Sequence, residues 1–325
     1  MRELSFAEAL NEALREEMRR DDSVIVFGED VAKPGGVYKV TKGLLEEFGP
    51  ERVMDTPISE AAIIGAAIGA ALMDLRPVAE IMYMDFLTIG LDQLVTHAAK
   101  ARFMSGGQVK LPMVVRCQYS LGRVHGSQHS QFFASWFLQA PGLKVVLPGT
   151  PKDAKGLLKS AIRDDNPVLF VESGVLYHRM KGPVPEEEYL TPLGKAEVKR
   201  RGDDVTVVAV SRTVREALAA AEMLEDEGIS VEVVDLMTIQ PMDKETIVES
   251  VKRTNRLVIA DDSVKTGGIS AEVAAMVVEE AFDYLDAPIV RVNSPPLPVP
   301  FSPPLEKEYM VDSGKIVEAV RRLVR

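Results

Sequence analysis

Short apolar runs alternate with amphipathic stretches along the first 180 residues of the chain. A short apolar run predicts a buried strand, whereas apolar residues spaced three and four apart predict a helix with one buried face. Ser5 and Glu8 predict a capping box at the start of the first helix. Because strands alternate with helices, we expect a mostly parallel sheet that is covered on both faces. The predicted strands lie at residues 24–27, 77–82, 112–116, 143–147 and 168–172, and the predicted helices at residues 5–19, 42–48, 87–103, 153–163 and from Glu60 onward.

The alternation stops at residues 178–204 and then resumes. Prolines, an acidic run and a charged stretch are typical of a surface linker, which we place at residues 181–204. The sequence therefore predicts an α/β protein with two three-layer α/β/α domains and mostly parallel sheets, at residues 1–180 and 205–325. In the second domain the predicted strands lie at residues 205–210, 231–236, 257–260 and 289–292, and the predicted helices at residues 213–226, 243–253, 269–283 and from about 315.

The segment Asp55-Thr-Pro-Ile-Ser-Glu60 joins a strand to a helix. The proline ends the strand, and Ser59 is a suitable N-cap for the helix. Gly65 and Gly69 then leave one face of the helix without side chains, so that another helix or subunit can approach closely. Glu60 has two interpretations: a carboxylate that complements the helix dipole, or a buried acid whose pKa is tuned for chemistry.

Two loops have the composition of functional segments. The first, with Pro34-Gly-Gly36, follows the strand at residues 24–27 and is typical of a ligand-facing loop at the carboxyl end of a strand. The second, Gln118–Gln131, is long, polar and holds His125 and His129, and a loop of this length inside a domain is usually functional. For His129, structural hydrogen bonding and proton transfer are both open.

The composition is that of an ordinary globular protein: 325 residues, 46% hydrophobic and 27% charged. No apolar run reaches the ~20 residues of a membrane span. The formal net charge of −11 argues against nucleic acid as a partner. The single cysteine, Cys117, excludes an internal disulfide and, with four histidines, a Cys/His zinc cage, so we expect a reducing, cytoplasmic compartment.

The common nucleotide-binding and esterase motifs are absent from the sequence. Four other motifs occur in order: Asp55-Thr-Pro-Ile-Ser-Glu60, Tyr83-Met-Asp-Phe86, Gln128-His-Ser-Gln131 followed by Pro141-Gly-Leu-Lys-Val-Val146, and Asp153-Ala-Lys-Gly-Leu-Leu158 followed by Ala161-Ile-Arg-Asp-Asp-Asn-Pro167. With these motifs the chain resembles, from end to end, the beta subunit of the thiamine-diphosphate-dependent 2-oxoacid dehydrogenases and of their acetoin dehydrogenase relatives. The resemblance implies a transketolase-like pyrimidine-binding domain followed by a transketolase C-terminal domain.

The resemblance favours the catalytic interpretation of Glu60. In this family the matching acid hydrogen-bonds a ring nitrogen of the cofactor's aminopyrimidine and favours its imino form, which takes the proton from the thiazolium carbon. Met82 and Phe86 match residues that flank the aminopyrimidine, although core packing at a strand end would explain them equally well. His129 matches a histidine that assists acyl transfer to a lipoyl arm, whereas the family fixes no histidine at the position of His125.

The resemblance also implies a structural potassium ion, because some members hold one through main-chain oxygens and one carboxylate. Oxygen ligands at a helix C-terminus suit a cation. Asp164 before Asn166-Pro167 has a second interpretation, a helix stop. The matching positions are Met113, Ala161, Ile162, Asp164 and Asn166.

One family element is missing from this chain. Thiamine-diphosphate enzymes bind the diphosphate through Mg²⁺ with a Gly-Asp-Gly stretch and a later Asn, but Gly202-Asp-Asp204 lacks the second glycine and the Asn. The resemblance therefore implies an alpha subunit that carries the magnesium half of the site, in an alpha2beta2 heterotetramer in which Gly65 and Gly69 contact the partner. The second domain would pair the beta chains and dock the acyltransferase core, for which the acidic residues are Glu279, Glu280, Asp283 and Asp286, although a solvated helix face would also explain them.

The substrate stays open among pyruvate, branched-chain 2-oxoacids and acetoin. Two alternatives are a non-catalytic scaffold subunit and a split transketolase, whose sugar phosphates would require basic residues in the polar loop, where only Arg123 is found. Many relatives have Arg at the position of Met237, Glu at that of Asp262 and His at that of Gln139. These differences affect neither Glu60 nor His129.

Overall fold

The computed structural model describes residues 1–324, which fold into two consecutive α/β units. The strands of the first unit are β1 (Arg2–Ser5), β2 (Val24–Gly28), β3 (Val53–Asp55), β4 (Arg76–Ile81), β5 (Val114–Tyr119), β6 (Lys144–Val146), β7 (Val168–Ser173) and β8 (Lys181–Val184). Its α-helices are α1 (Phe6–Arg20), α2 (Leu44–Phe48), α3 (Glu60–Leu72), α4 (Met84–Leu87), α5 (Ala99–Met104), α6 (Pro151–Arg163) and α7 (Leu176–Arg179). Shorter helical segments are the 3₁₀ turns Thr88–Gly90 and Ala134–Gln139 and the π-helical segment Asp92–Ala98.

The second unit follows the same alternation of strands and helices. Its strands are β9 (Glu197–Arg200), β10 (Val205–Ala209), β11 (Val231–Asp235), β12 (Thr238–Gln240), β13 (Leu257–Val264) and β14 (Val290–Ser294). Its helices are α8 (Arg212–Glu225), α9 (Lys244–Thr254), α10 (Ile269–Ala281), the 3₁₀ turn Phe282–Tyr284, α11 (Pro303–Tyr309) and α12 (Ser313–Val324).

Within residues 1–324 the strands form three sheets. The seven-stranded sheet has the order β12-β6-β7-β5-β4-β2-β3 and is parallel except for β12, which is antiparallel to β6. The five-stranded sheet has the order β14-β13-β10-β11-β9 and is parallel except for β9. β1 and β8 form a separate antiparallel pair. Every residue of β2, β5, β7, β10 and β11 is buried, as parallel strands covered on both faces require.

The helix starts agree with the local sequence in one case and only partly in another. The Ser5 hydroxyl accepts the Glu8 amide at 3.2 Å and the Glu8 carboxylate accepts the Ser5 amide at 2.8 Å, so the predicted capping box is confirmed. Ser59 is the N-cap of α3, but its side chain makes no capping hydrogen bond. The two helix glycines also differ, because a Cβ on Gly65 would lie 4.0 Å from Gln93 whereas Gly69 has open space beside it.

Two segments differ from the sequence predictions. The helix predicted at residues 87–103 begins earlier, at α4, and runs through 3₁₀ and π segments before α5. Gly90 lies inside this run, and a Cβ there would come 2.4 Å from Cδ1 of Ile64, so a larger residue would require the Ile64 side chain to move. The segment predicted as a linker contains β8 and β9, which pair with β1 and β11. The domain boundaries themselves stay a prediction.

The two units are joined by apolar packing, by a strand and by hydrogen bonds. One hydrophobic cluster contains Leu169 of the first unit and Val208 of the second. β12 extends the sheet of the first unit, and the Tyr119 hydroxyl lies 3.3 Å from both Ser211 and Asp262 of the second unit. Among residues 1–324, no helix is both long and apolar enough to cross a membrane.

Candidate active site

Three neighbouring strands end at one edge of the first sheet. Gly28, at the end of β2, lies opposite Asp55 of β3 and Glu80 of β4. Because neighbouring parallel strands end at the same edge, the segments that follow them emerge side by side. The sheet thereby brings two predicted site residues, Glu60 after β3 and Met82 after β4, to one edge.

Glu60 opens α3 beside this edge and is 5% exposed. Within residues 1–324 its carboxylate has no hydrogen-bond or ion-pair partner. The pKa of the nearby Glu29 is raised by its burial and then by the negative charges of Glu60, Asp30 and Glu80. A buried carboxylate is costly unless a donor satisfies it. The edge therefore lacks a hydrogen-bond donor, and the protonated ring nitrogen of an aminopyrimidine would be one, so the residues present fit the cofactor of the family.

A cluster of aromatic rings forms beside the same edge, where β4 and β5 end. The ring centroids of Phe86 and His129 lie 5.3 Å apart, and the ring of Tyr83 lies 5.1 Å from that of His129. His125 packs on Tyr83 from another direction, at 6.0 Å. Burial, and then the charge of Arg123, lower the pKa of His125 and favour its neutral form. The structure thus brings the predicted residues Phe86 and His129 into contact.

Asp85 is a candidate that the sequence analysis did not select. It is buried, and its Oδ1 atom accepts hydrogen bonds from the Gln131 side chain at 2.8 Å and the Gln131 amide at 3.4 Å. Its Oδ2 atom is buried without a partner in the described residues. Burial raises the pKa of the Asp85 carboxyl group. Asp85 interacts electrostatically with His129. The signal was available, because Asp85 lies within the Tyr83–Phe86 motif.

Tyr38 is a second residue that the sequence analysis missed. Its hydroxyl lies 3.2 Å from that of Tyr83, and its ring stacks on Tyr177 at 4.8 Å between centroids. The Arg123 guanidinium lies 4.6 Å from the centroid of the Tyr38 ring, on which it forms a cation–π contact. Tyr38 belongs to the loop after β2, whose Pro34-Gly-Gly36 composition predicted a ligand-facing segment. The closest partner of its hydroxyl, Tyr83, is 45 residues away in the sequence, so local sequence patterns could not reveal this contact.

The residues predicted to bind potassium lie close together, but their oxygens already have partners. The Asp164 carboxylate accepts hydrogen bonds from the Lys144 ammonium and, at 2.8 Å, from the Asn166 side chain. The Arg76 guanidinium donates to the main-chain oxygens of Ile162 at 3.0 Å and of Asp164 at 3.2 Å. Two side-chain cations therefore occupy this group of oxygens.

The other two predicted potassium ligands are also engaged. The main-chain oxygen of Met113 accepts the Val168 amide, and that of Ala161 accepts the Asp164 amide. A potassium ion at these oxygens would compete with the Lys144 ammonium for the Asp164 carboxylate. Elsewhere in residues 1–324, no three His, Cys, Asp or Glu side chains are grouped to hold a metal ion.

Two family models match the chain. The model for the transketolase pyrimidine binding domain matches residues 2–179, and the model for the transketolase C-terminal domain matches residues 194–316. The chain is similar to a solved structure described as a split gene transketolase, in an inactive beta4 tetramer, with a TM-score of 0.82 and 24% sequence identity. The alignment covers 99% of this chain and 98% of the solved one. The predicted two-domain α/β fold is therefore confirmed. These domains define a transketolase-like, thiamine-diphosphate-dependent class of protein.

Curated relatives narrow the class. The 2-oxoisovalerate dehydrogenase subunit beta of Bacillus subtilis (strain 168) is 48% identical over 98% of both chains. The mitochondrial pyruvate dehydrogenase E1 component subunit beta of Dictyostelium discoideum is 46% identical over 100% of this chain and 92% of its own. The acetoin:2,6-dichlorophenolindophenol oxidoreductase subunit beta of B. subtilis is 46% identical over 99% of this chain and 98% of its own. The chain belongs to the family of 2-oxoacid dehydrogenase beta subunits.

Proposed function

We propose that this chain is the beta subunit of a dehydrogenase that decarboxylates a 2-oxoacid, pyruvate or a branched-chain acid, and reductively acylates the lipoyl group of an acyltransferase. The observation that carries the proposal is Glu60, a 5% exposed acid without a partner in residues 1–324, at the same sheet edge that bears the packed rings of Phe86 and His129. An acetoin dehydrogenase beta subunit is the alternative, because the acetoin-named relative is as similar as the pyruvate-named one. A scaffold subunit would not need a buried carboxylate left without a partner.

The side chains at the edge have separate roles in this proposal. Thiamine diphosphate, when bound, supplies a nucleophilic carbon and an electron sink for decarboxylation. Glu60 would accept the ring N–H of the aminopyrimidine and hold it in the imino form. Met82 and Phe86 would contact the ring from the ends of β4 and α4. The burial of Glu60 keeps competing water away from this hydrogen bond.

His129 would act at the acyl-transfer end of the site. Its ring is held edge-on by Tyr83 and Phe86, and its amide donates to the Gly126 carbonyl at 3.3 Å. An imidazole held in this way can exchange a proton with the sulfur of the lipoyl group during acyl transfer. Asp85 interacts electrostatically with His129 and belongs to the same group of side chains.

The proposal includes an alpha subunit that completes the site. Ile58, Met73 and Ile89 lie at or beside α3 and are 81%, 77% and 59% exposed, and Gly69 of the same helix faces open space. Exposed apolar side chains at both ends of a helix and beside it are typical of a surface that a partner covers. We assign this surface to the alpha subunit, which would carry most of the Mg²⁺ site in an alpha2beta2 heterotetramer.

The acyltransferase core would bind the second unit. Glu279, Asp283 and Asp286 are exposed, whereas Glu280 is engaged by Lys244 at 2.6 Å. An acidic surface of this kind suits a basic partner domain, and binding to it would weaken as salt concentration rises. A cytoplasmic location, expected from the single cysteine, belongs to the same proposal.

Calorimetry with thiamine diphosphate and Mg²⁺ tests the shared site. We expect no binding by this chain alone, binding after the alpha subunit is added, and loss of that binding in Glu60→Gln. Glu46→Gln, an exposed position on α2, is the matched control. Turnover of pyruvate, branched-chain 2-oxoacids and acetoin then identifies the substrate. Tight binding by the lone chain, or none in the mixture, would contradict the proposal.

A structural potassium ion is the least supported component of the proposal, because Lys144 holds Asp164. Thermal unfolding in potassium chloride and in choline chloride at equal ionic strength tests it. An ion that binds only the folded chain raises the unfolding temperature with its concentration. Equal unfolding temperatures in the two salts would remove potassium from the proposal.

A further inference from the structure

The loop that carries His129 has a strained backbone. Residues 120–131 contain no strand or helix, and Gly122 and Gly126 have φ angles of 90° and 74°. Val124, between them, has a φ of 61°, a left-handed conformation that a β-branched residue rarely adopts. Such strain persists only when surrounding contacts hold the backbone in place.

The contacts that hold this loop come from the second unit. The Glu306 carboxylate on α11 is 2% exposed and accepts the Gly122 amide at 3.0 Å with one oxygen and the Val124 amide at 2.9 Å with the other. Hydrogen bonds to an ionised acceptor are about twice as strong as neutral ones. The Ser127 hydroxyl also donates to the Val299 carbonyl at 2.7 Å.

The restrained segment leads directly to the histidine. The carbonyl of Gly126 accepts the amide of His129 at 3.3 Å, and a Cβ on Gly126 would lie 3.0 Å from the ring of Phe301. The position of the His129 ring against Tyr83 therefore depends on a backbone that Glu306 holds from the other unit.

We propose that Glu306 is a positioning residue, which fixes the loop at residues 120–131 in the shape that presents His129 to the acyl acceptor. The inference rests on the proposed function of His129. It also gives the second unit a part in the chemistry of the first, because the buried Glu306 belongs to one unit and the restrained loop to the other.

The test is Glu306→Gln in the complex with the alpha subunit. Glutamine has one acceptor oxygen, so one of the two amides loses its partner. We expect kcat for lipoyl acylation to fall about 10- to 100-fold, while decarboxylation coupled to an electron-accepting dye changes by less than about 3-fold, because only acylation needs the histidine. Glu308→Gln, an exposed position on the same helix, is the matched control and should leave both rates unchanged.

Two further measurements separate positioning from general damage. Hydrogen exchange at the amides of Gly122 and Val124 should quicken in Glu306→Gln. Val124→Gly relieves the left-handed strain, so combining it with Glu306→Gln should restore part of the acylation rate. If Glu306→Gln alone does not fold, the double variant is measured in its place. Equal losses in both assays, or unchanged exchange, would overturn the inference. If the wild-type complex has neither activity, the proposed function fails, and the exchange measurement still tests the role of Glu306 in the loop.

Discussion

Both units place carboxylates at the carboxyl ends of buried parallel strands, but the two groups of carboxylates have different surroundings. In the second unit, Asp261 accepts hydrogen bonds from Ser263 at 3.0 Å and Ser270 at 3.1 Å. The adjacent Asp262 is held by Arg212 at 2.9 Å and by the Tyr119 hydroxyl at 3.3 Å. These buried carboxylates have their partners within the chain.

The carboxylates at the edge of the first unit are incompletely paired. Glu60 has no partner in residues 1–324, and one oxygen of Asp85 is buried without a hydrogen bond. Since the architecture of the two sheets is alike, the architecture does not identify the site. What distinguishes this edge is that two of its acids, Glu60 and Asp85, keep unused hydrogen-bonding capacity. The other buried carboxylate oxygens without a hydrogen bond in the described chain, those of Asp153 and Asp235, lie at the junction of the units beside Lys199.

The largest expected effect comes from Glu60→Gln, which removes the charge and keeps the shape. With the alpha subunit and thiamine diphosphate present, we expect turnover to fall about 10⁴-fold, equivalent to about 5 kcal/mol. The free energy of unfolding of the chain should change little, because Glu60 has no hydrogen-bond or ion-pair partner among residues 1–324 to lose. Steady-state kinetics and urea unfolding of the same preparation measure both. A variant that keeps its turnover and loses stability would make Glu60 a structural acid like Asp262.

The sequence could predict those parts of the molecule that depend on local chemistry. The capping box of Ser5 and Glu8, the alternation of strands and helices, and the position of Glu60 at a helix start all follow from neighbouring residues. Tyr38 and Glu306 were missed because their partners lie across the fold, at Tyr83 and in the loop at residues 120–131.

Strand β12 shows the same limit. Thr238–Gln240 belongs to the second unit by sequence, yet it pairs with β6 at the edge of the first sheet. A strand of three residues has too little periodicity to be recognised in the sequence. The contacts of the predicted potassium ligands show the same limit, because matching positions do not reveal that Lys144 and Arg76 reach the same oxygens.

The second prediction concerns the paired carboxylates. Asp262→Asn removes the closest counter-ion of the buried Arg212 guanidinium and leaves only Glu216, at 3.8 Å, so we expect the free energy of unfolding to fall by about 3–5 kcal/mol. The double variant Arg212→Met with Asp262→Leu should recover most of this loss, because it removes both charges. Urea unfolding of the full chain measures each variant. A loss of less than about 1 kcal/mol in Asp262→Asn would contradict the division between paired and unpaired carboxylates.

A third prediction concerns Asp235, which lies at the junction of the units. Like the paired carboxylates it has a hydrogen-bond donor, and like the unpaired ones it has an oxygen without a partner. Burial, and then the negative charge of the neighbouring Asp153, raise the pKa of Asp235 from an ordinary value of 3.8 to about 8. The charge of Glu197 also raises this pKa, whereas the positive charge of Lys199 lowers it. One Asp235 oxygen accepts the Met237 amide at 3.0 Å, and the other is buried without a hydrogen bond in the described chain.

The folded chain binds the Asp235 proton more tightly than the unfolded chain does. The resulting stabilisation is complete below pH 4 and is lost as the pH rises towards 8, with a slope of up to about 1.4 kcal/mol per pH unit. Asp235→Asn should therefore gain about 2 kcal/mol relative to wild type between pH 5 and pH 7, as measured by urea unfolding. The exposed Asp226→Asn is the control. Parallel pH profiles for Asp235→Asn and wild type would show that Asp235 is ionised throughout.

The smallest effect should come from Tyr38→Phe, which tests whether the polar contacts at the open edge matter individually. The variant removes the hydroxyl that lies 3.2 Å from that of Tyr83 and keeps the stacking on Tyr177. The hydroxyl also accepts the Gln118 side-chain amide in a long contact of 3.4 Å. A hydrogen bond is worth about 1 kcal/mol, so we expect kcat/KM to fall about 5- to 10-fold, with little change in unfolding. Tyr284→Phe, on a more exposed ring, is the matched control. A much larger loss would mean that Tyr38 contacts the substrate or cofactor itself, and no loss would mean that Phe86 and His125 hold Tyr83 without its help.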